Sequence, residues 1–260
     1  MKRSLPNILY KYRPVTGRSL DMLANNQVYF AHPNDFNDPF DCSAQENMHD
    51  IFRHDMAIAL ASIELRIQPA ALTMEQIQQY RQRINQQLQS NTDTQALLDE
   101  LRESLGILSL SARSDSIVMW SHYADTHRGF CLGFSIKNFG IPIEELRAVF
   151  YSKERNLNFA FNLISNPNMT EDRFSEEFWS EYALTKYVDW QYEQEWRVIG
   201  QARTISQYPD ESIDRVIFGL RMSQNNRDQV RTILSKKNVN FFEAARSRDA
   251  FALEIRHLDN

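Results

Sequence analysis

The sequence predicts an α+β protein, a mixed or antiparallel sheet core with a helical insertion in its N-terminal third. Three observations carry the prediction. Short runs of β-branched, aromatic and aliphatic residues recur along the chain. A stretch at roughly residues 47–105 changes to helical spacing. Finally, strands and helices follow one another irregularly instead of alternating as βαβ units.

The elements follow in order. Ile8 to Arg13 reads as a strand in which Tyr10 and Tyr12 alternate with Lys11 and Arg13, so the two pairs face opposite sides. Pro14 ends it by forcing Arg13 towards extended backbone. A short strand at Val28-Tyr29-Phe30 runs into Pro33–Asp41, a turn-rich stretch in which Asn37, Asp38 and Pro39 set the backbone and Phe40 is expected to anchor the turn in the core. In the insertion, Ile77, Ile84 and Leu88 mark one helical face with glutamines on the others, and Thr73-Met74-Glu75-Gln76 has capping-box form. Ile107–Ser111 is strand-like, and Ser116 caps a short helix to Tyr123. Phe130–Phe134 reads as a buried strand and Ala148–Tyr151 as another. A helix from about Thr170 to Tyr187 would stack Phe174, Phe178 and Tyr182. Glu195–Ile199 and Arg215–Phe218 read as strands closed by Gly200 and Gly219. Ser223 caps a helix to about Leu234, and Asn240 to Leu258 suits a final strand pair. No internal repeat is present, so residues 1–260 read as one domain.

Composition narrows the function. Seven glycines in 260 positions are well under half of the roughly 7% average. Phosphate loops and dinucleotide fingerprints need clustered glycines, and the near pair Gly129 and Gly133 fits neither. A nucleotide site must therefore use side chains. A formal charge of −5 disfavours nucleic-acid binding through overall charge. Cys42 and Cys131 have no metal-ligand or disulfide spacing. No apolar run is long enough to span a membrane, and none follows the basic N-terminus as a signal peptide would require, so a cytoplasmic protein is expected.

Polar residues in aromatic or strand settings form four groups: Lys11 with Arg13, Asn37–Asp41, Trp120–Tyr123 with His127 and Gly129, and Trp190–Arg197. These groups carry a resemblance. Tyr10-Lys11-Tyr12-Arg13, Asn37-Asp38-Pro39-Phe40, Met119–Ala124 with His127 and Gly129, and Trp190–Arg197 with Lys186 ahead of it resemble the bacterial domain-of-unknown-function family numbered 2971. Asp41 stands where that family is expected to carry a glutamate, which keeps the carboxylate. The resemblance implies no activity.

A second likeness is one of motif order. Arg13 on a first strand, Ser109-x-Ser111, and Glu193-x-Glu195 follow in the order of the arginine, serine and glutamate signature of ADP-ribosyltransferases. Breaking the nicotinamide–ribose bond of NAD develops positive charge on the sugar, which a carboxylate beneath it stabilises. In this reading Glu195 holds the ribose and Glu193 activates the acceptor, the two sharing one strand face. Arg13 forks to the pyrophosphate. Ser109 and Ser111 orient the glutamate or the ribose. Trp120 and Tyr123 stack on the nicotinamide, His122 is a catalytic or ribose-contacting residue at an aromatic pocket edge, and His127 helps to bind the cofactor. NAD is then a substrate and no metal is expected. The acceptor is a protein, a nucleic acid or water, with nucleic acid disfavoured by charge. Each group has a plainer alternative: Glu193, Glu195 and Arg197 as a solvated strand face with ion pairs, Ser109 and Ser111 bonded to backbone, Arg13 paired with Asp38 or Asp41, His122 hydrogen-bonded in the core. Two further functions compete. One is a non-catalytic ligand- or protein-binding module with an aromatic and histidine pocket. The other is a metal-dependent nuclease using Asp38, Asp41, Glu193 and Glu195.

Overall fold

A computed structural model describes residues 3–43, 48–89, 103–153 and 182–258. The protein is α+β. Its strands are β1 (Ile8–Arg13), β2 (Gln27–Tyr29), β3 (Leu105–Ser111), β4 (Phe130–Ser135), β5 (Arg147–Ala148), β6 (Phe150–Ser152), β7 (Thr185–Tyr187), β8 (Glu195–Gln201), β9 (Ile205–Gln207), β10 (Ile213–Phe218), β11 (Asn240–Arg246) and β12 (Leu253–His257). In chain order the described α-helices are α1 (Gly17–Ala24), α2 (Met48–Leu65), α3 (Met74–Gln89), α4 (Ile117–Tyr123) and α5 (Gln224–Ile233).

Eight strands form one sheet in the order β12-β11-β10-β4-β1-β3-β8-β5. Every neighbouring pair is antiparallel except β10 with β11. Strand alternation gives the sheet two apolar faces. Leu9, Leu108, Leu110, Phe130, Leu132, Phe134, Val198 and Phe218 build the larger core together with Leu23 of α1 and Val230 of α5. On the other face Tyr12, Cys131, Ile217 and Ala244 pack against Met119, Trp120 and Ala124 of the α4 segment.

Local chemistry sets the helix starts. Thr16 and Ser19 form a reciprocal capping box at α1. At α3, Gln76 N donates to Thr73 Oγ1 (3.2 Å) and Thr73 N to Gln76 Oε1 (2.9 Å), as its sequence requires. Ser116 caps α4 through Met119 N, and Ser223 caps α5 through Asn226 N.

Four expectations need correction. Ala148–Tyr151 is not one strand, because the chain leaves the large sheet at buried Val149, whose N donates to Glu195 O at 3.0 Å. Phe150–Ser152 then pairs in parallel with Thr185–Tyr187. The body of the expected 170–187 helix lies outside the described residues, but its last three residues are strand β7. Gly200 lies inside β8 rather than ending it. Phe40 does not anchor the turn. It is 82% exposed, and the turn holds instead through Asp38 Oδ1, which accepts from Phe40 N at 2.9 Å.

Gly129 joins α4 to β4 where only a glycine fits, since a Cβ there would lie 2.0 Å from the Arg13 carbonyl oxygen. Its carbonyl accepts from Gly219 N at 2.9 Å, so this crossing fastens β1, β4 and the end of β10 together.

Candidate functional site

The site grows from the junction of β1, β3 and β8. Tyr10 pairs with Ser111, and Ser111 with Glu195, so the tyrosine, serine and glutamate strands lie side by side. The β1–β3 pairing is confined to Tyr10↔Ser111, and Lys11 reaches into the opening beyond it, donating from Nζ to Ser109 O at 2.6 Å. A cavity of about 470 Å³ opens here, within the roughly 300–1,000 Å³ usual for small-ligand sites. Tyr10, Lys11 and Tyr12 line it, as do Ser109 and Ser111, Met119, His122 and Tyr123 of α4, Phe36, Asn37 and Asp41 of the turn, and Lys186, Glu193 and Glu195.

A buried lattice of charge forms one wall. Glu193 ends a 3-10 turn (Val188–Glu193), Gln194 takes left-handed backbone at φ 45°, and β8 starts at Glu195. The two glutamates therefore do not share a strand face as their spacing suggested. They meet through Lys186, which β7 presents opposite Tyr151. Lys186 Nζ lies 2.7 Å from Glu193 Oε2, 3.1 Å from Glu195 Oε2 and 3.2 Å from Asp41 Oδ2. It also sits over the Trp190 ring, 4.8 Å from the centroid. Arg197, 0% exposed, donates to Asp41 Oδ2 (2.6 Å), to both Glu195 oxygens (2.8 and 2.9 Å) and to Ala183 O (2.6 Å). This is a buried lattice, not a solvated strand face. Such ions are tolerated only because each has partners of opposite sign.

Three carboxylates, Asp41, Glu193 and Glu195, face two cations, Lys186 and Arg197. Burial pushes the Glu195 carboxyl up, but Arg197 and Lys186 outweigh it and hold it well below the usual carboxylate range. Burial raises Glu193 as well, and there Lys186 does not outweigh it, with Glu195 adding to the rise. Glu193 is the least compensated carboxylate of the lattice. It is also the one that meets the α4 wall, where Tyr123 OH donates to its Oε1 at 2.7 Å. Burial and Glu193 raise the Tyr123 pKa, so the phenol stays a neutral donor.

Lys11 is the other unusual group. Burial, reinforced by Arg13, pushes its pKa down to about 7 against the pull of Glu195 and Glu193. With a folded pKa near 7 and an ordinary value of 10.5 when unfolded, the folded state binds fewer protons between those limits. This group's contribution to stability therefore rises with pH across that window. In the protein with ¹³C-methylated lysines, one NMR signal is expected to titrate near pH 7 and to vanish in Lys11→Met. A full set of lysines titrating above about pH 9 would contradict it.

The remaining expected site residues divide. His122 lines the cavity as an exposed rim residue, its ring 6.2 Å from Tyr123 and 6.5 Å from Trp190. It is therefore not a core histidine. Ser109 lines the cavity and helps to hold the Glu195 carboxyl down. Ser111 is buried and serves backbone, donating to Glu193 O at 2.6 Å and accepting from Arg113 N at 3.0 Å.

Three of the expected residues do not line this cavity. Arg13 stands three residues from Tyr10 on β1, which puts it on the opposite face from Ser111 and Glu195. Its charged neighbours are Lys11, Arg18 and Tyr208, and Asp41 pairs with Arg197 and Lys186 instead. Trp120 is 0% exposed, meets Tyr12 edge-on at 5.2 Å and donates from Nε1 to Ser114 O at 2.8 Å, so it is a core residue with no free face for a nicotinamide. His127 lines a different cavity. Sequence reasoning missed Lys11 as a cavity residue and the joint role of Lys186, Asp41 and Arg197. The available signal was that several charges lie within strands whose neighbours are apolar.

Among the described residues no group of three or more His, Cys, Asp or Glu forms a metal-holding cluster. The point where Asp41, Glu193 and Glu195 converge is filled by the Lys186 ammonium. Among the described residues no helix is long and apolar enough to cross a membrane.

The fold and site define an α+β protein with a ligand-sized cavity walled by a buried ion lattice. Residues 119–198 match the model of a protein family of unknown function, DUF2971, which supports the family resemblance drawn from the motifs. The matched segment runs from Met119 through Lys186, Glu193 and Glu195 to Arg197 and one residue beyond, and the match carries no activity with it. No curated protein and no solved structure matches the chain.

Proposed function

We propose that the cavity binds NAD or a related nucleotide N-glycoside and breaks the bond between ribose and nicotinamide, the chemistry of an ADP-ribosyltransferase or NAD glycohydrolase. The observation that carries this is the convergence of Lys11, Ser109, His122, Tyr123 and Glu193 on one cavity of about 470 Å³.

The roles differ from those the motif order suggested. Glu195 is fully engaged by Arg197 and Lys186, so it positions and does not touch the sugar. Glu193, the least compensated carboxylate, is the one beneath the ribose. As the N-glycosidic bond breaks, its electron pair leaves with nicotinamide, and the positive charge left on the ribose is stabilised by the Glu193 carboxylate. The acceptor, water or a protein hydroxyl, then adds to that carbon and loses its proton to His122 at the rim. Lys11 takes the phosphate-binding role first given to Arg13. Its compact ammonium acts as a point charge and not as a fork.

Incubating the protein with NAD and following free nicotinamide by chromatography tests this reading. Nicotinamide release above the uncatalysed rate is expected, together with a binding isotherm for NAD. Neither release nor binding at millimolar NAD would overturn it.

One observation favours a non-catalytic binding module, namely that both Glu193 oxygens already have partners in Tyr123 and Lys186. Saturable NAD binding without turnover would favour that reading.

A further inference from the structure

A second cavity, of about 620 Å³, meets α4 through Ile117. Helical spacing turns Ile117 away from Met119, His122 and Tyr123, which line the first cavity. The second is walled by His127, Leu220, Arg221 and the β11–β12 hairpin from Arg246 to Leu253. Nothing in the proposed glycosidic chemistry uses these residues.

Its chemistry is cationic and aromatic. Arg221, Arg246 and Arg248 are exposed, and Asp249 is the acidic residue lining the same cavity. None of these arginines makes a salt bridge among the described residues; Glu254 on β12 is held by Arg256 at 2.7 Å, with Arg248 near enough to help hold its carboxyl down. At the hairpin tip Phe251 is 105% exposed, the most exposed of the large hydrophobic residues described.

His127 is the histidine of this wall. The single Ser121 hydroxyl proton goes to Ile117 O at 3.0 Å, so Ser121 Oγ accepts from His127 Nε2 at 3.2 Å. The other nitrogen, Nδ1, is then an acceptor, and it is buried without a hydrogen-bond partner among the described residues. Burial and Arg221 lower the His127 pKa, which keeps the ring neutral.

We propose that this cavity binds single-stranded nucleic acid, with Arg221, Arg246 and Arg248 on the phosphates and a base stacked on Phe251. A ring face beside a row of guanidinium groups is the recognition chemistry of unpaired nucleotides. A duplex hides its base faces in its own stack and leaves Phe251 without a partner. A phosphopeptide would engage the arginines but has no use for the ring. His127 Nδ1 is shielded, so the arginines and Phe251 hold the strand and that nitrogen does not. The formal charge of −5 argues against binding through overall charge, not against a local patch of this kind. The inference does not depend on the first cavity's chemistry.

The test is fluorescence polarisation with a labelled single-stranded oligonucleotide, the same sequence as a duplex, and a labelled phosphopeptide. The single strand is expected to bind best, with a salt slope of about −2 in log K against log salt for three phosphate contacts. Replacing Arg246 and Arg248 together by Ala should weaken binding and flatten the slope by about 1.4. Phe251→Ala should cost about tenfold with the slope unchanged. These three side chains are exposed on a loop or strand end, so the variants fold. No binding of the single strand up to roughly 100 µM, equal binding by the variants, or preference for duplex or phosphopeptide would each overturn the proposal.

Discussion

Arg197→Met is expected to destabilise the protein by about 3–5 kcal/mol, the usual cost of stripping one partner from a buried ion pair. Methionine fills much of the same volume, so the loss is electrostatic. The substitution leaves Asp41 and Glu195 buried without their guanidinium and leaves Ala183 O without its donor. The pH dependence identifies the cause. In the wild type the folded Glu195 pKa lies below its ordinary 4.5, so its ionised form stabilises the fold above that pH and the contribution fades on acidification. The deficit of Arg197→Met should therefore be largest above about pH 5 and shrink towards acid. Urea denaturation followed by circular dichroism at pH 7 and pH 4 measures both quantities. A deficit below about 1 kcal/mol, or one independent of pH, would mean that the lattice is not charged as described.

Glu193→Gln and Glu195→Gln should separate chemistry from support. Glu193→Gln keeps the hydrogen-bonding shape and removes the charge from the least compensated site. NAD turnover should fall by about 10²–10³-fold, with stability nearly unchanged. Glu195→Gln takes a charge from between Arg197 and Lys186, so its main effect should be a loss of about 3–5 kcal/mol of stability. Turnover should follow a bell in pH. It rises as Glu193 ionises, above the ordinary carboxylate range because burial raises that group. It falls as Lys11 loses its charge near pH 7. The alkaline limb should disappear in Lys11→Met, at the cost of a raised KM. Equal turnover in Glu193→Gln and wild type would remove Glu193 from the reaction.

How far the sequence reached can be argued from single residues. Caps and strands whose signals are local were legible: Thr73 with Gln76, Ser116, Ser223, and the run Phe130–Phe134. So was the gathering of Ser109, His122, Tyr123, Glu193 and Glu195, because each is a polar residue in an aromatic or strand setting. Arg13 failed for a reason partly visible beforehand. The β1 alternation already set it opposite Tyr10, but that Tyr10 rather than Arg13 lies level with Ser111 is a matter of register between strands about a hundred residues apart, and no local signal sets it. Gln194 failed differently, since a left-handed glutamine between two glutamates breaks the period of two on which the shared face depended. Trp120 looked like a stacking platform because aromatic content alone does not distinguish a pocket wall from a core. The ion lattice was least legible. Asp41, Lys186 and Arg197 come from three separate segments, and their neutralisation appears only once β7 is laid beside the start of β8.

The most direct test of the central claim is a crystal structure of Glu193→Gln soaked with NAD, in which binding persists and turnover is slow. The account predicts NAD in the cavity of β1, β3 and α4, with the ribose carbon that bears nicotinamide against residue 193 and a phosphate on Lys11. An empty cavity at saturating NAD, or NAD bound with its ribose away from residue 193, would contradict it.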